Sequence, residues 1–326
     1  MSNGPILVTG AGGFVGSAVV RRLVRRESRG SGNEGAEHVV ALLSPTSSAE
    51  RLEDLAGLAA WSMERADIAD RRALTALLDR IRPGTIVHVA LSDAAFREVP
   101  VGDDDPLVAG PLATLMDGLR RAPAPRFVYA GSAWVLQSGM RLSESTPLDL
   151  RTPYARNKAR ADALIPVLAE RAGVSWINLR LFNMFGRYEK PTRLVPTLVS
   201  RLARGEVAEL THGEQVRDFN DVDQMANAFN LAIRAPDEAW NALYHIGSGR
   251  GTSVREFALS VAETLGRPDL VRFGTARTLD EGLPSLVADP TLAMERIGWE
   301  PERDLVTRMR RAVEWWLARL NAEVGR

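Results

Sequence analysis

A doubly wound parallel α/β sheet of about seven strands, with a smaller C-terminal α/β lobe, is the fold class that three features of the sequence predict. Short apolar runs alternate with amphipathic helical stretches over most of the chain, the pattern of a sheet covered on both faces. The run Pro5-Ile6-Leu7-Val8-Thr9 leads directly into Gly10-Ala11-Gly12-Gly13-Phe14-Val15-Gly16, which reads as strand, glycine-rich turn and helix start in succession. Residues 85–90 form a continuous apolar run of the kind a buried parallel strand needs.

The first unit carries a binding signal as well as a fold signal. Val15, Val19, Leu23 and Val24 fall on one face of the helix. Glycine at 10, 13 and 16 lets the backbone turn tightly and come close to a pyrophosphate, while the amides of Phe14, Val15 and Gly16 open the helix toward an anion. A turn that binds nothing is the plainer alternative; the strand before and the helix after are the context that dinucleotide binding requires. Arg21, Arg22, Arg25, Arg26 and Arg29 then read as a solvated helix face, followed by a flexible loop over residues 30–35.

The second strand is predicted over residues 38–43. An acid near its end holds the ribose 2′-hydroxyl in NAD-binding units. Leu43 stands there instead, followed by Ser44, Thr46, Ser47, Ser48 and Arg51. Hydroxyls and a cation suit a 2′-phosphate, so NADP(H) is favoured over NAD; the competing reading is that the serines cap a helix starting near Ala49. Further strands are expected over residues 60–64, 85–90, 126–130, 174–181 and 242–246, and helices over 70–80 and 107–121. Asp103-Asp104-Asp105 reads as a polar loop, and Ala122-Pro123-Ala124-Pro125 as a helix breaker. Thr152-Pro153 opens a helix that Pro166 should kink or interrupt. Residues 1–181 with about 222–246 make the dinucleotide-binding domain, and 182–221 with 247–326 the substrate lobe. The last helix, 305–321, carries the stripe Val306, Met309, Val313, Trp316, Leu317 and Leu320, which reads as core.

Bulk properties narrow the function. The chain has 326 residues, enough for one large domain or a large and a small one. Lys+Arg and Asp+Glu are both 41, so no global charge favours nucleic acid or a membrane surface. There is no cysteine, which excludes disulfides and thiol nucleophiles, and His38, His88, His212 and His245 lack metal-ligand spacing. No metal site, signal segment or long apolar run is read, and a soluble, cytoplasmic protein is expected.

Tyr154 and Lys158 are four apart, one helix face. A lysine ammonium beside a phenol favours the phenolate, which suits Tyr154 to exchange a proton with a substrate oxygen. Ser132, at the end of the fifth strand, would hold that oxygen. The bland readings are a surface helix pair and a turn cap.

Together these pieces resemble the extended short-chain dehydrogenase/reductase family, in its nucleotide-sugar epimerase, dehydratase and reductase branch. The likeness runs through Thr9-Gly10-Ala-Gly-Gly13-Phe-Val-Gly16, Asp67-Ile68, Val87-His88-Val89-Ala90, Ser132 with Tyr154 and Lys158, Leu179-Arg180-Leu181-Phe182-Asn183, Val216-Arg217-Asp218-Phe219 and Tyr244-His245-Ile246-Gly247-Ser248-Gly249. The resemblance implies that Ser132, Tyr154 and Lys158 are catalytic, with Lys158 also on the nicotinamide ribose. It further implies that Asp67 and Ile68 flank the adenine, Ala90 lines the cofactor channel, Asn183 touches the sugar diphosphate and Arg217 its phosphates. Arg193 is a second phosphate candidate. The alternative for either arginine is a salt bridge with Asp218, Asp221 or Asp223. The likeness also implies a homodimer packing the helices at 107–121 and 154–171 on their two-fold mates.

One departure bears on the reaction. Sugar 4,6-dehydratases of the family carry an acidic pair after the catalytic hydroxyl residue; here Ala133 and Trp134 stand there and transfer no protons. With Leu43, this favours an NADP(H)-dependent reductase of a nucleoside-diphosphate 4-keto-deoxyhexose. The alternative is a nucleotide-sugar 4-epimerase that retains NAD. A cofactor-binding protein without catalysis is the third reading.

Overall fold

The computed structural model describes residues 4–27, 37–91, 96, 105–275 and 283–324. The predicted loop at 30–35, Arg29, Asp103 and Asp104 lie outside these. Strand β1 (Ile6–Thr9) feeds helix α1 (Phe14–Glu27), then β2 (Val39–Leu43), β3 (Trp61–Arg65), α2 (Arg71–Ile81), β4 (Thr85–His88), α3 (Ala109–Leu119) and β5 (Arg126–Ser132). A short strand β6 (Gly139–Leu142), helix α4 (Pro153–Ala172) and β7 (Ser175–Leu181) follow. Beyond them come β8 (Met184–Phe185), α5 (Leu194–Ala203), β9 (Ala208–Leu210), β10 (Val216–Arg217), β11 (Asn220–Asp221), α6 (Val222–Ile233) and β12 (Ala242–Ile246). The chain closes with β13 (Thr252–Ser253), α7 (Val254–Thr264), β14 (Val271–Phe273), β15 (Ser285–Ala288), α8 (Thr291–Ile297) and α9 (Leu305–Val324).

Seven of these strands form one sheet in the order β12-β7-β5-β4-β1-β2-β3, all pairs parallel. The winding reverses between β1 and β4, which opens a crevice at the strands' carboxyl ends. Side chains alternate across the sheet. Ile6 and Val8 join Val19, Leu23 and Phe229 in the core under α1 and α6. Leu7 joins Leu78, Leu115, Phe127 and Ile165 in the core under α2, α3 and α4. Asp105, expected in a polar loop, is buried and caps α3, accepting the amides of Leu107, Val108 and Ala109 while Arg160 of α4 pairs with it at 2.8 Å.

A four-stranded sheet, β13-β10-β15-β6, and the core of α5, α7 and α9 build the second lobe. Strand β6 comes from within the segment assigned to the dinucleotide domain, so that boundary is crossed by a strand exchange. In α9, Met309, Val313 and Trp316 are buried as expected, but Val306 is exposed. Pro166 does not interrupt α4, which runs unbroken to Ala172; the buried face at Ala155, Ala159, Ile165 and Ala169 holds the turn that lacks one amide. Arg21 is the other correction. It is 1% exposed rather than solvated, and its guanidinium binds Asp54 at 2.8 Å and the carbonyls of Ser17 and Arg51.

Candidate active site

The glycine turn sits at the switch point, and its neighbours explain its composition. Gly10 has φ +69°, and a Cβ there would lie 2.6 Å from the Ala90 Cα. Gly16 packs against the Gly10 carbonyl. Gly13 differs: a Cβ on it would meet only the Gly10 carbonyl oxygen, at 3.1 Å, so its bareness serves the open side of the turn. Phe14, Val15 and Gly16 begin α1, where the first amides have no helical acceptor. An anion-binding cradle of this shape fits a dinucleotide pyrophosphate. The Ala90 amide donates to Thr9 Oγ1 at 3.3 Å, and Thr9 Oγ1 also meets His88 Nδ1 at 2.7 Å. Asp67 accepts the Ala69 amide at 2.9 Å, and half-buried Ile68 follows it.

The residues expected to bind a 2′-phosphate part company. Leu43 is buried at the end of β2. Ser44 and Ser47 share a hydroxyl–hydroxyl bond of 2.6 Å, exposed beside the crevice. Ser48 takes the capping role, accepting the Glu50 amide at 3.1 Å. Arg51 turns elsewhere: Nη1 donates to the Gly12 carbonyl at 3.0 Å and Nε to the Tyr188 carbonyl at 3.2 Å. It clamps the glycine turn to the second lobe.

Ser132 and Tyr154 come together across the crevice. The Ser132 hydroxyl accepts the Trp134 amide at 3.3 Å, a cap on the short turn that follows. The Tyr154 phenol lies near enough for the Ser132 hydroxyl to act on its proton affinity. Burial raises the phenol's pKa; the Ser132 hydroxyl and the charge of Arg193 pull it back. Lys158 departs from expectation. Its ammonium, 6% exposed, donates to Tyr129 Oη at 3.1 Å and to the Ala130 carbonyl at 2.8 Å. Burial brings its pKa down to about 8, against the opposing pull of Asp162. Arg193, at the head of α5, is near enough for its charge to favour the phenolate of Tyr154. An ammonium buried against a strand end has its neighbours set by the sheet, which helix spacing does not reveal.

The residues expected on the substrate side follow in sequence order. The Asn183 side-chain oxygen is buried without a hydrogen-bond partner, an acceptor that wants a donor. Arg217 is buried, donates to the Val216 carbonyl at 2.8 Å, and lies 5.4 Å from the Trp134 ring centroid. Asp218 takes the amides of Ser248, Gly249 and Ala288. Asp221 caps α6, and Asp223 binds Arg187 at 2.7 Å.

Several site neighbours escaped the sequence reading. Phe96 stacks on Tyr154 with centroids 5.0 Å apart; nothing in the sequence around it marks this. Asp162, one turn beyond Lys158, accepts Asn178 Nδ2 at 2.6 Å and the Arg180 fork at 3.0 and 2.9 Å. Its spacing from Lys158 was the available signal. Glu189 is buried with Oε2 unpartnered, and burial lifts its carboxyl to about 8. A cavity of about 510 Å³ lies elsewhere, walled by Arg22, Asp221, Asp223, Glu302 and Arg311 between α1, α6 and α9.

The chain matches the model of the NAD dependent epimerase/dehydratase family over residues 6–247. It belongs to that family. It is accordingly an oxidoreductase-type enzyme of the extended short-chain dehydrogenase/reductase group. A UDP-glucose 4-epimerase of Mycolicibacterium smegmatis is 28% identical, the match covering 95% of this chain and 97% of that one. The structure of a dTDP-glucose 4,6-dehydratase from Streptomyces venezuelae with NAD superposes with a TM-score of 0.82 at 26% identity, covering 98% of each chain. A Thermus thermophilus UDP-glucose 4-epimerase complex with NAD gives 0.77 at 25% identity, covering 96% of this chain and 99% of that one. No helix among the described residues is long and apolar enough to cross a membrane.

Proposed function

We propose that this family member is an NADP(H)-dependent reductase of a nucleoside-diphosphate 4-keto-deoxyhexose. The observation that carries the reading is the Ser132–Tyr154 hydroxyl pair with Ala133 and Trp134 beside it, a proton donor without the flanking acids that removal of water from the sugar needs. When bound, the nicotinamide supplies the hydride to C4. Tyr154 donates its phenolic proton to the oxygen that becomes the 4-hydroxyl, and Ser132 holds that oxygen in place. Two of the N–H donors of Lys158 are engaged, leaving a third for the nicotinamide ribose. Asn183 Oδ1 accepts from the sugar nucleotide, while Arg217 and Arg193 face its diphosphate, a fork suited to phosphate oxygens. Arg193 then also lowers the phenol's pKa.

The epimerase reading is favoured by the UDP-glucose 4-epimerase relatives. Absorbance and chromatography of the supernatant after denaturing the purified protein separates the two. Little released cofactor, with NADPH consumed on adding a 4-keto-sugar nucleotide, supports the reductase; one equivalent of released NAD and no net NADPH consumption overturns it. The homodimer would pair α3 and α4 with their mates, where Val167 is an exposed apolar side chain. A monomer mass in sedimentation at all protein concentrations removes that part.

A further inference from the structure

The cation at the expected 2′-phosphate position is not the one the sequence offers. Arg65 ends β3, in register with Leu43 at the end of β2. Its Nη1 donates to three carbonyls of the following loop, Ser44 at 3.0 Å, Pro45 at 3.2 Å and Ser47 at 2.8 Å. Those contacts anchor one arm of the fork; Nε and Nη2 make no hydrogen bond to the described residues. No carboxylate among the described residues pairs with it, because the adjacent Glu64 is held by Arg80 at 2.8 and 3.0 Å. Beside it, Ser44 and Ser47 share a single hydrogen bond, so one hydroxyl proton is left to donate. Arg51 is committed to Gly12 and Tyr188.

Resting on the reading of this crevice as an NADP(H) site, we propose that Arg65, with the Ser44–Ser47 hydroxyl pair, is the residue that selects NADP(H) over NAD(H), by taking the 2′-phosphate. The position of an acid in an NAD site is filled by Leu43, and the strand next to it supplies a positive charge aimed over the same loop. A 2′-hydroxyl gives that fork no anion to bind; a 2′-phosphate does.

The test is direct binding of NADPH and NADH to the purified protein, followed by calorimetry, with no turnover needed. Arg65→Ala should weaken NADPH by about 10- to 100-fold, the scale of a hydrogen bond to a charged group, and leave NADH within about 2-fold. Arg65→Gln, which keeps a donor for the loop carbonyls without the charge, should behave alike. Tighter NADPH binding in the parent protein that survives both substitutions overturns the role of Arg65 while the NADP(H) reading stands. Loss of NADPH and NADH together assigns Arg65 to loop structure alone and also overturns it. Parent protein that binds NADH as tightly as NADPH overturns the NADP(H) reading itself.

Discussion

The two ends of the cofactor crevice are built on different principles. At the proposed catalytic end, Ser132, Tyr154 and Lys158 stand on a strand end and a helix, and Lys158 is locked by a phenol and a carbonyl in the sheet. At the proposed ribose end, Ser44 and Ser47 sit on the exposed loop after β2, and Arg65, at the end of β3, reaches over that loop with one guanidinium arm collecting backbone carbonyls. Burial at the first end fixes geometry and shifts proton affinities. Exposure at the second leaves the short polar side chains and the guanidinium open to a ligand. In the proposed reading, reaction type rests on a strand end and a helix, and cofactor choice on a short loop with the neighbouring strand end.

Substitutions at the two ends should differ in kind. Tyr154→Phe removes the proton donor and should lower turnover by about 100-fold or more with cofactor affinity unchanged; near-parent turnover in a steady-state assay would break the assignment of the catalytic end. Asp162→Asn removes the one carboxylate that raises the Lys158 pKa, with Arg180 losing its buried partner. Turnover should fall about 10-fold, and the alkaline limb of the pH–rate profile should move to lower pH. A profile of unchanged shape would mean that Asp162 acts on folding alone.

Glu189 tests the crevice's stability side. Its carboxyl is raised to about 8, so the folded protein keeps the proton that the unfolded chain releases above its ordinary pKa. Stability is then fully present below about pH 4.5 and is lost as pH rises toward 8. Glu189→Gln should therefore raise the unfolding free energy at pH 7 by on the order of 3 kcal/mol, seen as a higher melting temperature, and change little near pH 4. An equal shift at both pH values would show that the charge is not the cause. The smallest effect belongs to Arg51→Ala. It removes two partly buried bonds to carbonyls, roughly 1–2 kcal/mol of stability, and should leave the NADPH-to-NADH affinity ratio at the parent value.

Much of the sheet could be read from the chain. The strands predicted at 126–130, 174–181 and 242–246 are found within two residues at each end, because a strand covered on both faces must be apolar throughout. Residues 89 and 90 fall outside β4, where Ala90 turns its amide to Thr9. The arginines were the hardest to place. Arg21, Arg51 and Arg65 carry the same side chain with no local pattern, and each was settled by a carbonyl or carboxylate brought near by the fold. Arg21 is the plainest case: its partner Asp54 is far along the chain, and a helix-face reading predicts solvent.

By itself the sequence determined the alternation of strand and helix, the glycine turn at the first crossover, and the one-turn spacing of Tyr154 and Lys158. All of these are consequences of backbone geometry over a few residues. The tertiary structure alone decided which charges meet: Lys158 with Tyr129 rather than Tyr154, Arg51 with two carbonyls, and Arg65 with the loop after β2. Side-chain electrostatics act across strands that are neighbours in space and distant in the chain, and no local period encodes that distance.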